Sequence, residues 1–306
     1  MSSSRVALWV LTVSSCVSLW SCATVSDADY VAFAACTVTL GNTHSPSSAA
    51  SETDRVRVAH IGRFEMARSL VTVAEFARFL DERVCAPGAP TLVVQRSFAY
   101  CPLQQEGEKW VYRDEDSSRP IDQATWFGAK AYCDWLTRTK SDGYSYSLPS
   151  EWEWEYAARG MEGRPWPWGS KEPSSESGWE WVKKPRMDAH QIREPTIGSF
   201  PAGATPQGIT DMMGYGCLEW CVDEYVADPG DSVSCTKASG ERVGLLGAVP
   251  RVARGGARVE KAHISMLEAW LSETHSSGRV WSRWAGDPIE DVKREPFVFR
   301  VVRRPM

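Results

Sequence analysis

Apolar residues recur at helical spacing in three short stretches of this chain. Val73, Phe76, Phe79 and Leu80 line one face directly after Thr72, and Thr72 with Glu75 has the spacing of a reciprocal capping box. Ala129, Tyr132, Cys133 and Leu136 repeat the pattern behind Thr125, a weaker cap because Gly128 stands where a reciprocal Glu would help. Ser150-Glu151-Trp152-Glu153 is a second capping box, placed after Pro149, and its helix has a natural stop at Gly160. Beyond Gly160 the apolar runs are short and broken by Gly and Pro. That pattern predicts short strands joined by long loops, an α+β domain held by specific packing rather than by layered helices.

The N-terminus has a different pattern. Arg5 precedes the apolar run Val6 to Leu11, and no charge follows until after Trp20. This is short and Ser-rich for a membrane span and is expected to act as an export signal. Cys16, in Val13-Ser14-Ser15-Cys16, and Cys22, in Leu19-Trp20-Ser21-Cys22, are alternative lipidation sites. The first has the better small-residue context, and the second is followed by a more mature-like polar sequence. Residues 23–55, rich in Ser and Ala over their second half, are expected to form a tether, with the folded body starting near Val56.

The formal net charge of −5 gives no basic footprint for nucleic acid. Nine cysteines contain no Cys-x-x-Cys, so a zinc ribbon is not expected. In an exported chain Cys85 with Cys101 is a candidate disulfide, and Cys217 and Cys221 are candidates to pair with each other or with another cysteine. The five histidines (His44, His60, His190, His263, His275) are scattered, without the close spacing of an iron site. Fifteen Trp exceed ordinary core needs and suit a binding surface as well.

Several motifs stand in a fixed order: Val71-Thr72-Val73-Ala74-Glu75-Phe76, Leu148 to Gly160, Pro167-Trp168-Gly169, Gly198-Ser199-Phe200-Pro201, Glu219-Trp220-Cys221, Arg254-Gly255-Gly256 and Phe299-Arg300-Val301-Val302. Together they resemble the sulfatase-modifying-factor family, whose founding activity is formylglycine generation. The resemblance covers residues 60–305 and implies a single decorated C-type-lectin-like α+β domain. Formylglycine generators carry a Cys pair between Arg-Gly-Gly and the Phe-Arg end, and the resemblance ties copper to those two thiolates. Here no cysteine follows Cys235. Serine does not replace a thiolate at copper, so copper and formylglycine chemistry are not expected.

The resemblance also implies a calcium site at Asp211, Gly214 and Glu219, although the family's central Asn is missing and the stretch is one residue longer. Within Glu151 to Tyr156, Glu151 and Glu155 share a helix face and Glu153 points elsewhere. These acids are expected to form a solvated helix start favoured by the helix dipole, with Trp152 and Tyr156 as a packed pair. Trp270, Arg279, Trp281, Arg283 and Trp284 interleave the two residue types that dominate recognition surfaces, in a stretch that lines the binding face of the resembling proteins. The alternative is a Trp core with the arginines paired to Asp287 or Glu290. The resulting expectation is an exported, lipid-anchored, non-catalytic module that binds a protein or glycan at the cell surface. The competing reading is a divergent, copper-independent tailoring enzyme using Glu260, His263 or His275.

Overall fold

The computed structural model describes residues 29–41, 43, 56–82, 102–122, 124–172, 174–177, 195–213, 217–225, 232–234, 249–255, 284–286 and 297–306. The three helices form where the sequence places them. Helix α1 (Val73–Glu82) starts at Thr72, whose backbone N–H donates to Glu75 Oε2 at 2.9 Å while Glu75 N–H donates back to Thr72 Oγ1 at 3.3 Å. Helix α2 (Trp126–Lys140) is capped by Thr125, which accepts from Gly128 N–H at 3.0 Å. Helix α3 (Glu151–Arg159) has both bonds of the Ser150–Glu153 box and ends at Gly160, whose positive φ of 66° suits glycine.

The strands are short. β1 (Tyr30–Phe33), β4 (Phe64–Ala67), β13 (Val302–Pro305) and β7 (Tyr144–Ser147) form one antiparallel sheet in that spatial order. β11 (Trp284–Gly286), β10 (Arg251–Arg254), β8 (Leu218–Glu224) and β12 (Phe297–Val298) form a second, with β12 parallel to β8. β2 (Cys36–Leu40), β3 (Arg57–Ile61) and β9 (Ser232–Ser234) make a third, and β5 (Gln104–Glu106) with β6 (Lys109–Val111) a hairpin. The first and last strands of the domain flank β4. Arg303 of β13 lies between the rings of Tyr30 and Tyr144, 4.1 Å from each centroid, and pairs with Glu65 at 2.8 Å.

This arrangement corrects the expected domain boundary. Residues 30–40 belong to the body and not to a tether, because Val31, Phe33, Val38 and Leu40 alternate into the core while β1 and β2 pair with β4 and β3. Cys221 carries a free thiol, so the suggested Cys217–Cys221 disulfide does not form. Cys85 and Cys101 lie outside the described residues.

Among the described residues two large apolar clusters fill the domain, with a small third one at Leu70, Cys217 and Val298. One gathers Phe76, Phe79, Tyr132, Trp135 and Phe299 between α1, α2 and the second sheet, with Trp220 stacked on Phe297 at 4.0 Å. The other surrounds α3, where Trp152, Trp154 and Tyr156 meet Phe33, Phe64 and Trp166. Tyr156 stands edge-on to Phe33 at 5.4 Å and to Phe64 at 6.4 Å. Trp166 and Trp168 of the Trp-Pro-Trp-Gly turn stack at 5.5 Å with their planes 3° apart.

Candidate functional site

Three of the ordered motifs, Leu148 to Gly160, Glu219-Trp220-Cys221 and Arg254-Gly255, meet where α3 packs on β8 and β10. Arg254, at the end of β10, is wholly buried and reaches both acids of one helix face. Its Nη2 lies 3.1 Å from Glu151 Oε2 and its Nη1 3.2 Å from Glu155 Oε2. Glu155 Oε1 also accepts from Arg159 Nη1 at 2.9 Å and from the Gly41 N–H at 2.7 Å. Arg159, equally buried, donates to the Gly41 carbonyl, to Thr43 Oγ1 at 3.0 Å and to the Gly163 carbonyl at 3.2 Å. Glu153 faces away, as its helical position requires, and takes Arg304 while closing the capping box.

The expected solvated helix start is therefore wrong. Glu151, Glu153 and Glu155 are 3%, 5% and 1% exposed. The dipole argument for acids in a first helical turn holds for Glu151 and Glu153, but Arg254, Arg159 and Arg304 draw all three carboxylates inward. Burial of such charges is tolerable only because guanidinium forks and backbone N–H groups satisfy them. The Arg254-Gly255 turn has its own requirement. Gly255 has φ 112°, and a Cβ there would stand 2.9 Å from the Cys217 carbonyl and 3.3 Å from that of Met212.

Beside this network, β8 presents Asp223, whose Oδ2 accepts the Glu151 backbone N–H at 2.6 Å. Burial first, and the neighbouring Glu151 second, push the Asp223 carboxyl up to about 7. Cys221 is fully buried, and burial holds its thiol well above the usual range. On the other flank Arg251 lies 4.0 Å from the Trp126 ring centroid, and Trp126 donates its indole N–H to the Cys221 carbonyl at 2.8 Å. Neither Asp223 nor the arginines Arg159, Arg300 and Arg304 stand out as site residues in the sequence. The available signal was a set of arginines in motif positions facing acids at i,i+4 spacing.

The residues tied to calcium have a different occupation. Arg300 grips both oxygens of Glu219, Nε to Oε2 at 2.5 Å and Nη2 to Oε1 at 2.9 Å, and donates to the Thr210 carbonyl at 3.0 Å. Asp211 Oδ2 accepts from Gly198 N–H at 2.8 Å and Thr210 Oγ1 at 2.7 Å; its Oδ1 has no partner among the described residues. Gly214 lies outside the described residues. Arg300 thus supplies positive charge to both Glu219 oxygens, where calcium would otherwise bring it. Of the segment singled out for recognition, Trp270, Arg279, Trp281 and Arg283 lie outside the described residues. So do Cys16 and Cys22. Trp284 opens β11, where its backbone pairs with Ala253 of β10, one residue from Arg254.

This mixture, among the described residues, of short strands, three helices and buried ion pairs is that of an irregular α+β domain of the C-type-lectin-like, formylglycine-generating-enzyme-like kind. Treponema denticola variable protein 1 has the same fold, with a TM-score of 0.59 at 15% identity over 90% of this chain and 95% of that one. The chain belongs to the family of the sulfatase-modifying factor enzyme 1-like domain, whose model matches residues 23–303. Among its relatives, the inactive C-alpha-formylglycine-generating enzyme 2 of Bos taurus is 33% identical over 118 residues, 37% of this chain and 35% of that protein. Hercynine oxygenase of Mycobacterium tuberculosis is 29% identical over 122 residues, 38% of this chain and 25% of that protein. The chain thus spans about a third of the length of the first and a quarter of the second.

Proposed function

We propose that this chain is an exported, lipid-anchored module that uses the sulfatase-modifying-factor fold to bind a protein or glycan at the cell surface, without catalysis. The observation that carries the reading is the commitment of the charged groups around the Arg254-Gly255 turn. Arg254 is spent on Glu151 and Glu155, and Arg300 on Glu219. In addition, the sequence has no cysteine after Cys235 to act as the family's oxidase pair. A relative whose name marks it as inactive supports the same direction. Recognition is assigned to Trp270, Arg279, Trp281, Arg283 and Trp284, because Arg and Trp give large contact area and forked hydrogen bonding at small entropic cost.

The test is affinity capture with the full mature chain against surface extracts and a glycan array, comparing wild type with Arg279→Ala/Arg283→Ala. The double variant should keep the wild-type melting temperature, since exposed charges contribute little to stability, and lose the captured ligand. Equal capture by both proteins would remove the segment from the binding surface.

A further inference from the structure

The folded body starts far closer to the candidate lipidation sites than a tether ending at residue 55 would place it. The chain is held from Asp29 onward. The Asp29 carbonyl accepts the Arg68 N–H at 2.8 Å, and Tyr30 opens β1 opposite Ala67 of β4. The Tyr30 ring is buried, edge-on to Tyr146 at 6.4 Å, with the Arg303 guanidinium 4.1 Å from its centroid. Seven residue steps separate Cys22 from Asp29. At about 3.6 Å per residue they span at most about 25 Å, whereas the steps from Cys22 to Val56 would allow about 120 Å.

A compact chain as long as residues 29–306 has a radius of gyration of about 19 Å and is about 50 Å across. A connection half that length keeps its attachment point in the half of the body that faces the anchor. That point lies at one end of the first sheet. β1 and β13 start there while β4 and β7 end there, because Tyr30 is opposite Ala67 and Val302 is opposite both Met66 and Ser147. The turn at 205–208 closes the same end. Arg68 Nη1 donates to the Gln207 carbonyl at 2.6 Å, and Pro206 and Gln207 are exposed. The opposite end of the sheet carries Arg63 and Met306, both exposed, with the Met306 N–H on the Gly143 carbonyl at 2.9 Å. From Ala67 back to Arg63 the chain runs about 13 Å along the strand direction, at about 3.4 Å per residue.

We propose, resting on the lipid anchor assigned above, that Cys22 carries the lipid and that the sheet end where β1 starts lies against the bilayer, with the Arg63 and Met306 end facing outward. The surface that covers this end is the bilayer holding the acyl chains, because at most about 25 Å of backbone lies between them. An anchor at Cys16 would add six residues and extend the reach to about 47 Å, close to the width of the body, and would leave the body free to turn. With Cys22 as the anchor the whole body stays within about 75 Å of the bilayer, so the protein or glycan it binds is one displayed in that layer.

The experiment uses the full chain, lipidated in cells and reconstituted into vesicles whose headgroups carry an energy-acceptor dye. A single donor dye is attached through a clickable amino acid at Gln207 or at Arg63. Transfer from Gln207 should exceed transfer from Arg63 by about twofold, given the spacing of about 13 Å along the sheet. Inserting about thirty Gly/Ser residues after Thr24 should remove that difference, since the connection then exceeds the width of the body. Cys22→Ala should abolish fatty-acid labelling and membrane association, and Cys16→Ala should leave both unchanged. Equal transfer from the two positions, or labelling that survives Cys22→Ala, would overturn the orientation while leaving a lipid anchor in place. A wild-type chain that takes no label and stays out of the membrane fraction would overturn the anchor itself.

Discussion

Replacing Arg254 by Met removes the hub of the buried network while keeping its bulk, so the change reads charge and not cavity. Arg254 is wholly buried, and its partners Glu151 and Glu155 are 3% and 1% exposed. The two acids do not suffer equally. Glu155 keeps Arg159 at 2.9 Å and the Gly41 N–H at 2.7 Å, whereas Glu151 loses the guanidinium at 3.1 Å. Removing the guanidinium from a buried carboxylate costs about 3–5 kcal/mol, which for a domain of this size is about 6–20 °C in melting temperature. Arg63→Ala is the matched control. Its pair with Glu65 spans 3.9 Å with the Arg side chain 65% exposed, and its loss should stay within about 0.5 kcal/mol. Urea unfolding at pH 8 measures both. The double variant Arg254→Met/Glu151→Leu should recover at least about 1 kcal/mol of the single loss, because the buried carboxylate that lost Arg254 is gone too. An Arg254→Met protein within about 1 kcal/mol of wild type would refute the claim that this pair of contacts holds α3 on β10.

Purified protein supplied with copper and a Cys-containing sulfatase peptide should yield no formylglycine by mass spectrometry; any conversion contradicts the non-catalytic reading. Calcium at millimolar concentration should leave the melting temperature within about 1 °C of the chelated sample, since Arg300 already holds both Glu219 oxygens. Replacing Cys16 and Cys22 together by Ala should release the chain from membranes and abolish fatty-acid labelling, and labelling that persists would refute the anchor. Trp281→Ala and Trp284→Ala should leave stability nearly unchanged if that segment is a recognition surface; a loss of about 3–5 kcal/mol from each would place them in the core.

The chain's own order determined its helices and its family. Capping at Thr72, Thr125 and Ser150 is a local matter of one hydroxyl and the N–H groups one turn on, so each helix start was legible in four residues. The sequential motifs likewise announced a sulfatase-modifying-factor fold. Other features depended on partners far away in sequence. Glu151 and Glu155 could be assigned to one helix face, but their burial rests on Arg254, about a hundred residues later, and on Gly41, more than a hundred earlier. Glu219 reads as a calcium ligand in the sequence, whereas its partner in the fold, Arg300, lies 81 positions away. The strands at 30–40 were hidden in the same way, since their register comes from β4 and β3. Local hydrogen bonds and period reveal where an element begins; whether a charge is solvated, paired or left over depends on which distant cation the fold brings within about 3 Å, and only the tertiary structure decides that.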